Sequence, residues 1–232
     1  MINIVQQHFT HYKSPMEGEK EYAFLATTAA EMAELTSVKE IYSYAALKIN
    51  HLLNNASILA LVEYELNTNR WKMQFILGID KWINDLTNLI GFDLRELECD
   101  ISNKYKDKIT SGNLEELEFD FPGLFNNRTT RFAGQASKKL LGIDKMYSIA
   151  FQKGGELFGN ITFTTNRKTG VVNAQLIEAF IQQVSTHLKK QKAEDGLKES
   201  EEKHRLLLEH LQAGVVVHNP DTSIGYANQM AS

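Results

Sequence analysis

Apolar and polar residues alternate in two stretches of the chain, and each stretch predicts a β-hairpin. The first hairpin comprises residues 57–66 and 70–77, separated by 67–69. The second comprises residues 147–152 and 156–166, separated by 153–155. Alternation with a period of two is typical of strands that are buried on one face. The sequence therefore predicts an antiparallel sheet with one strongly apolar face.

The second hairpin has a uniformly apolar face only if its loop has an odd number of residues. With a two-residue loop, Ile149 would lie opposite Asn160, and the two faces would mix. We therefore predict a three-residue loop, 153–155, with Gly155 in the left-handed region. The apolar face then carries Tyr147, Ile149, Phe151, Leu157, Gly159, Ile161 and Phe163, and the other carries Ser148, Ala150, Gln152, Asn160, Thr162 and Thr164.

Apolar residues spaced three and four apart predict helices before and after these hairpins. One helix is expected over 20–35, and a second over 37–53, where Ser37 and Glu40 form a capping box. The middle of the chain predicts short helices near 81–90 and 99–110, a strand near 117–121 and a helix ending near Gly142. A long helix is expected to begin near Asn173.

The long helix has the spacing of a coiled-coil seam. Its first half carries Ile177, Ile181, Val184 and Leu188, and its second half carries Leu197, His204 and Leu211. The two sets are out of phase by one residue, and the discontinuity falls in a charged stretch around Gly196. This spacing predicts a parallel homodimer. The alternative is a solvated helix that packs on its own domain.

Composition excludes several classes of protein. The chain has 232 residues, 43% of them hydrophobic, which is enough for one good core. Its formal net charge of −4 argues against a nucleic-acid binder. We expect no signal peptide and no membrane span, and hence a cytoplasmic protein.

The order helix, helix, hairpin, irregular middle, helix, hairpin, long helix resembles that of a GAF domain. Residues 140–147, leading into the second hairpin, are similar to the corresponding region of GAF modules in prokaryotic, notably archaeal, sensor proteins. The resemblance implies an α+β fold with a central antiparallel sheet, long N- and C-terminal helices on one face and a small-molecule pocket on the other. It covers about residues 20–190, after a flexible segment, 1–19.

Residues 197–211 and 214–228 resemble the opening of a PAS domain, in which a helix leads to two strands and a Tyr-Ala-Asn triplet. The implied order is a signalling helix over 191–212 and the incomplete start of a PAS domain over 213–232. Together the resemblances imply a sensory input module that precedes a PAS domain and an output module such as a histidine kinase. The alternative is a structural dimerisation module without a ligand.

The expected pocket face of the second hairpin carries Ser148, Ala150, Asn160 and Thr162. A few converging polar groups on an apolar wall are typical of a small-molecule site. Helices of the middle segment could equally cover this face without a ligand. A cluster of basic residues, Arg128, Arg131, Lys138 and Lys139, either guards a pocket for an anion or is a solvated face.

Cys99 is the only cysteine, so no internal disulfide or CxxC metal site can form. GAF domains that bind tetrapyrroles present a cysteine, which makes Cys99 a candidate for attachment of haem or bilin. Glu98 and Asp100 are unfavourable neighbours for a nucleophilic thiolate. We expect no metal site, no obligatory cofactor and no catalytic residues within this chain.

Overall fold

The computed structural model of the chain describes residues 15–53, 58–65, 68, 70–100, 102–124, 129–165, 171, 173–210 and 213–231. The chain divides into two compact units, 1–187 and 188–232. Within the described residues, no helix combines the length and apolarity needed to cross a bilayer.

Among the described residues, the first unit contains six helices, the beginning of a seventh, and six strands. The helices are α1 (Pro15–Ala33), α2 (Val38–Leu52), α3 (Ile83–Ile90), α4 (Lys106–Ile109), α5 (Phe121–Leu124), α6 (Arg131–Leu141) and α7 (Ala174–Glu209). The strands are β1 (Leu59–Glu65), β2 (Arg70–Leu77), β3 (Glu98–Cys99), β4 (Glu115–Leu117), β5 (Lys145–Lys153) and β6 (Glu156–Thr165). Two 3₁₀ turns, Asp80–Trp82 and Leu94–Glu96, flank α3.

The six strands form one antiparallel sheet in the order β3-β2-β1-β6-β5-β4. Both predicted hairpins are present, and β1 pairs with β6 so that the hairpins form the centre of the sheet. This α+β architecture confirms the predicted fold class. The two-residue strand β3 was not predicted, because so short an edge strand has no detectable alternation.

The loop of the second hairpin differs from the prediction. It contains two residues, Gly154 and Gly155, whose φ angles are 61° and 80°, and Lys153 pairs with Glu156 across it. The extra residue is instead Phe158, which forms a β-bulge in β6 between the pairs Phe151–Gly159 and Gln152–Leu157. The bulge shifts the register by one, as the predicted longer loop would have done.

The predicted faces of this hairpin are nevertheless largely present. Ile149 pairs with Ile161, and Tyr147 pairs with Phe163, with their rings 5.8 Å apart. Phe158, rather than Leu157, supplies the buried side chain near the turn. A glycine is needed at position 159, because a Cβ atom there would lie 2.4 Å from the carbonyl oxygen of Val62.

The apolar face of the sheet packs against α2, with α1 and α7 beside it. The ring of Tyr42 lies 5.7 Å from that of Phe151. The ring of Phe180 in α7 contacts Phe24 of α1 and Tyr44 of α2, at 5.5 and 6.3 Å. Residues of this core that are at most 1% exposed include Ile41, Tyr42, Ala45, Ala46, Ile49, Leu59, Leu61, Ile149, Phe151, Ile161, Phe163, Ile177, Phe180, Ile181 and Val184. Burial of each large side chain contributes about 1.5–3 kcal/mol.

The capping box at the start of α2 is confirmed. The amide of Glu40 donates to the hydroxyl of Ser37, and the carboxylate of Glu40 accepts from the amide of Ser37. Helix α1 begins at Pro15, within the segment predicted to be flexible, and residues 1–14 lie outside the described residues. The helix predicted near 99–110 is shorter than expected and spans only Lys106–Ile109.

The seam predicted for a dimer is part of the core of a single chain. Ile177, Ile181 and Val184 are completely buried within the first unit, and Leu188 is completely buried as well. The prediction that these residues contact a second copy is therefore wrong. A spacing of three and four marks an apolar stripe on a helix, and here the sheet's own helical layer covers it.

The second unit contains the remainder of α7 and a small hairpin of β7 (Val216–His218) and β8 (Ile224–Ala227). Asn228 fixes the hairpin to the end of α7, because its amide donates to the carbonyls of Leu208 and Ala213, each at 2.9 Å. Helix α7 continues through Gly196 without a break. Gln191 and Asp195, at the predicted discontinuity, bond to each other at 2.9 Å.

Candidate functional site: an apolar cavity on the second face of the sheet

A cavity of about 150 Å³ lies against the face of the sheet opposite α2. Strands β1, β2 and β6 form its floor, and the middle segment, together with the start of β5, forms its walls. Its lining is almost entirely apolar: Ile58, Ala60, Val62, Trp71, Met73, Ile76, Ile79, Leu94, Leu97, Cys99, Ile109, Phe119, Leu124, Leu141, Ile143 and Met146. Asp100, Asn160, Thr162 and Thr164 are the remaining lining residues.

Strand pairing brings these floor residues together. Ala60 pairs with Thr162, and Val62 pairs with Asn160, so the two strands present the same face at these positions. The pairing of β1 with β2 contains a bulge: Leu61 pairs with Phe75 and Val62 with Met73, so β2 has one extra residue between these pairs. The bulge changes the alternation of β2. Trp71, Met73 and Ile76 consequently all line the cavity, although residues 73 and 76 would face opposite sides of a regular strand.

Asn160 links the floor to the wall. Its side-chain amide nitrogen donates to the carbonyl of Ile109 and to the hydroxyl of Ser148, both at 2.7 Å. Its Oδ1 accepts from the hydroxyl of Thr162 at 2.8 Å. Because a backbone carbonyl can only accept, the contact with Ile109 determines which end of the Asn160 side chain is the nitrogen. The side chain of Asn160 is thereby fixed between two other lining residues, Ile109 and Thr162.

A second polar cluster holds the wall together. The carboxylate of Asp120 accepts from the Nζ of Lys104 at 2.7 Å, from the hydroxyl of Tyr105 at 3.0 Å and from the amide of Gly123 at 3.2 Å. The bond from Lys104 is the main reason why the pKa of Asp120 is below its ordinary value. This cluster joins the segment before α4 to α5, and both segments contribute lining residues, among them Ile109 and Leu124.

Among the lining residues that the structure describes, Asp100 is the one that carries a charge. Asp100 is 68% exposed and therefore marks a point at which the cavity meets solvent. Its carboxylate lies 3.9 Å from the guanidinium of Arg70, which also pairs with Glu98 at 2.8 Å. Beside it, the indole N–H of Trp71 is buried and has no hydrogen-bond partner within the described part of the chain.

The structure brings together two of the predicted pocket residues. Asn160 and Thr162 line the cavity. Ser148 and Ala150 are completely buried on β5 and do not line the cavity. Ser148 pairs with Glu115 of β4, and the amide of Ala150 donates to the carbonyl of Ser111. Arg131 is exposed at the start of α6, away from the lining, and Arg128 lies outside the described residues.

Most of the lining residues were not predicted from the sequence. Ala60 and Val62 are among them, although both share the alternation of the predicted first hairpin. Their position on the cavity floor follows only from the pairing of β1 with β6, which local periodicity does not specify. Trp71, Cys99 and Phe119 converge from distant parts of the sequence, and no local signal indicates that they meet.

Comparison with known proteins identifies the fold. No protein-family model matches the sequence, and no curated protein matches it significantly. Among solved structures, the phycocyanobilin-bound GAF domain of a cyanobacterial phytochrome matches with a TM-score of 0.52 at 8% identity, over 75% of this chain and 96% of that one. The fold is GAF-like.

Two further solved structures are similar to the chain. The GAF domain of a phosphoenolpyruvate-protein phosphotransferase from Coxiella burnetii matches with a TM-score of 0.50 at 14% identity, over 78% of this chain and 98% of that one. A bacteriophytochrome from the photosynthetic bacterium R. palustris matches with a TM-score of 0.55 at 10% identity, over 88% of this chain and 45% of that one. Identities this low establish the GAF-like fold and nothing finer.

The cavity does not fit a tetrapyrrole. Sites for drug-sized molecules have volumes of about 300–1,000 Å³, and a tetrapyrrole needs at least that much space; this cavity has about 150 Å³. Cys99 is buried in the lining, but no histidine is found among the described lining residues. The residues around this cavity therefore do not support attachment of haem or bilin at Cys99. Among the described residues, no group of three or more His, Cys, Asp or Glu could hold a metal ion.

Proposed function

We propose that the chain is a sensory input module of a signal-transduction protein, in which a small molecule binds in the cavity of the GAF-like unit. The observation that carries this proposal is the cavity itself, a mostly apolar space with Asn160 and Thr162 on its floor. Ligand sites in proteins combine an apolar wall with a small number of polar groups that fix orientation. A domain built only for structure has no need for a cavity, because empty space weakens packing.

The proposed output path is α7. Its first half carries Phe180, whose ring contacts α1 and α2, and the same helix continues to Glu209. A ligand can change the state of such a module only if it binds two arrangements of it with different affinities. We place that difference in the wall of the cavity, where the Asp120 cluster and the bond from Asn160 to Ile109 would open or tighten around the ligand.

The finer features of the module are also proposals. The resemblance of residues 197–228 to the opening of a PAS domain supports a following PAS domain and an output such as a histidine kinase. Leu197 and Leu207 are 61% and 59% exposed in the second half of α7, which supports a parallel homodimer formed there rather than through Ile181. We propose a cytoplasmic protein with no catalytic residues in this chain.

Mass spectrometry tests ligand binding directly. The protein is purified from its native host, denatured, and analysed for a small molecule present in stoichiometric amount. In a matched preparation of Ala60→Phe, the new ring fills the cavity floor, and we expect the molecule to be absent. Leu47→Phe, at a residue that is 60% exposed on α2, is the control and should retain it.

One combination of results would favour the alternative, a structural module that binds no ligand. In that case no molecule accompanies the wild-type protein, and Ala60→Phe unfolds at a higher temperature without changing the output of the full-length protein. Filling an empty cavity stabilises a protein, whereas filling a ligand site removes regulation.

A further inference from the structure

The size of the cavity limits what can bind. An apolar cavity of about 150 Å³ in another protein accommodates benzene, and the cavity described above has about the same volume. A nucleotide or another drug-sized ligand would need a site of about 300 Å³ or more. In this state of the wall, the site therefore takes a molecule of about one six-membered ring or a short aliphatic chain.

The charges around the cavity favour a neutral molecule. In the part of the chain that the structure describes, no Lys, Arg or His is among the lining residues. The lining carboxylate, Asp100, is exposed and already lies near Arg70, which it shares with Glu98. An anion inside the cavity would lose its hydration without gaining a countercharge. Lys138 is not one of the lining residues, and its Nζ lies over the ring of Phe119, 5.8 Å from the centroid.

The hydrogen bonds on the floor leave acceptors available. Both hydrogens of the Asn160 amide are used, on Ile109 and Ser148. The hydroxyl hydrogen of Thr162 is used on Asn160 Oδ1. What remains on these two residues is a second lone pair on Oδ1 and one lone pair of the Thr162 oxygen, which also lies 3.4 Å from the hydroxyl oxygen of Ser148. The buried indole N–H of Trp71, which has no partner among the described residues, is a donor that the oxygen of a ligand hydroxyl can accept from. Thr164, whose Oγ1 accepts from the amide of Ile58 at 3.3 Å, is the next polar residue along this face.

We infer, on the basis of the proposed function, that the ligand is a neutral and mainly apolar molecule of about one ring that donates a hydrogen bond to the Asn160–Thr162 pair. A phenol or a small alcohol has these properties. An anion does not have these properties, although the sequence suggested one through the basic residues Arg128, Arg131, Lys138 and Lys139. Specificity arises because only a ligand with a donor gains an additional hydrogen bond to these two oxygens.

Three matched fluorinated probes test the inference by ¹⁹F NMR titration of the wild-type chain at pH 7. They are 4-fluorophenol, which is neutral with a donor, fluorobenzene, which is neutral without one, and 4-fluorobenzoate, which is an anion. We expect 4-fluorophenol to bind roughly three- to tenfold more tightly than fluorobenzene, the effect of one net hydrogen bond. We expect no binding of 4-fluorobenzoate.

Variants of Thr162 connect this preference to the floor. Thr162→Val keeps the shape but removes both the Thr162 acceptor and the donor that occupies Asn160 Oδ1. The ratio of the two neutral affinities should therefore differ from that of the wild type, while the affinity of fluorobenzene stays the same. Thr162→Ser should restore the ratio, which a loss of folding or packing would not do. Ala60→Phe should abolish binding of both neutral probes.

The possible failures are distinguishable. If fluorobenzene binds as tightly as 4-fluorophenol, or if 4-fluorobenzoate binds best, the ligand class is wrong, while the proposed function stands because the cavity still binds a molecule. If no probe binds, the ligand class is also wrong. The proposed function itself fails only if no small molecule accompanies the protein from its host and Ala60→Phe leaves the output of the full-length protein unchanged.

Discussion

The hydroxyl of Tyr42 donates a hydrogen bond of 2.8 Å to the carbonyl of Phe158, the extra residue in the bulge of β6. Both groups are buried, and burial raises the pKa of Tyr42 well above its ordinary value, so the hydroxyl stays protonated and can donate. A bulge interrupts the ladder of a sheet and leaves its extra residue unpaired. Helix α2 thus supplies a hydrogen bond that the sheet does not.

Tyr42→Phe should lower the free energy of unfolding by about 1–3 kcal/mol, because it leaves a buried carbonyl without this donor. Urea denaturation followed by circular dichroism measures the change. The control is Tyr44→Phe, whose hydroxyl bonds to Glu31 at the exposed surface and whose removal should change stability by less than about 1 kcal/mol. Equal losses in the two variants would show that the hydrogen bond to the bulge contributes no more to the free energy of unfolding than an exposed one.

Two glycines of the chain should respond to alanine in opposite ways. Gly159→Ala places a Cβ atom 2.4 Å from the carbonyl oxygen of Val62 in the adjacent strand, and should destabilise the fold by about 1–3 kcal/mol. Gly196→Ala, in the exposed part of α7 with no atom within 4 Å, should stabilise its helix by about 1 kcal/mol. Thermal melts of the two variants and the wild type decide the signs. A stabilising Gly159→Ala would mean that β1 and β6 are farther apart than described.

The turn of the second hairpin requires positive φ angles at two residues. Gly155→Val, at φ 80°, should cost about 1–2 kcal/mol, because a β-branched residue is strained there. Gly154→Asn should be nearly neutral, since Asn-Gly is a preferred pair in two-residue hairpin turns. Denaturant melts of both variants measure the difference. A tolerated Gly155→Val would contradict the two-residue turn.

The Asp120 cluster makes a pH-dependent contribution to stability. The folded-state pKa of Asp120 lies below its ordinary value of 3.8, mainly because Lys104 donates to it. Its contribution is therefore complete above pH 3.8 and is lost as the pH falls through the folded-state pKa. Asp120→Asn should be less stable than the wild type at pH 7, and the difference should shrink as the pH falls below 3.8.

Urea melts of the two proteins at several pH values measure that difference. Lys104→Met should show the same loss at pH 7 and should raise the pKa of Asp120 towards 3.8, which NMR titration of the carboxyl carbon follows. A difference between Asp120→Asn and the wild type that does not change with pH would show that the carboxylate acts only through packing.

Two substitutions in α7 separate its core from its proposed dimer surface. Ile181→Glu buries a charge in a completely buried position and should cost about 4 kcal/mol or more, so the chain should lose cooperative unfolding. Leu197→Glu, at a residue that is 61% exposed, should remain folded and shift the proposed homodimer towards monomer. Circular dichroism and light scattering distinguish the two effects. If Ile181→Glu remained folded but became monomeric, the dimer contact would lie in the first half of the helix.

Local patterns of the sequence determined the elements and their faces. Alternation specified both hairpins and which side of β5 and β6 is apolar. Ser37 and Glu40 specified the start of α2, and apolar spacing specified α7. These features depend on residues within a few positions of each other, where the repeat of a strand or helix is directly visible in the sequence.

Only the tertiary structure decided what covers each face. An odd loop and a two-residue loop with a bulge shift the register equally, so alternation could not distinguish them, and the contact from Tyr42 to Phe158 lies outside the hairpin. The stripe containing Ile181 is equally suited to a core and to a dimer seam, because spacing shows that a face is apolar but not which surface covers it. The cavity arises where Ala60, Asn160 and Ile109 meet across long sequence separations, and such contacts leave no local periodicity.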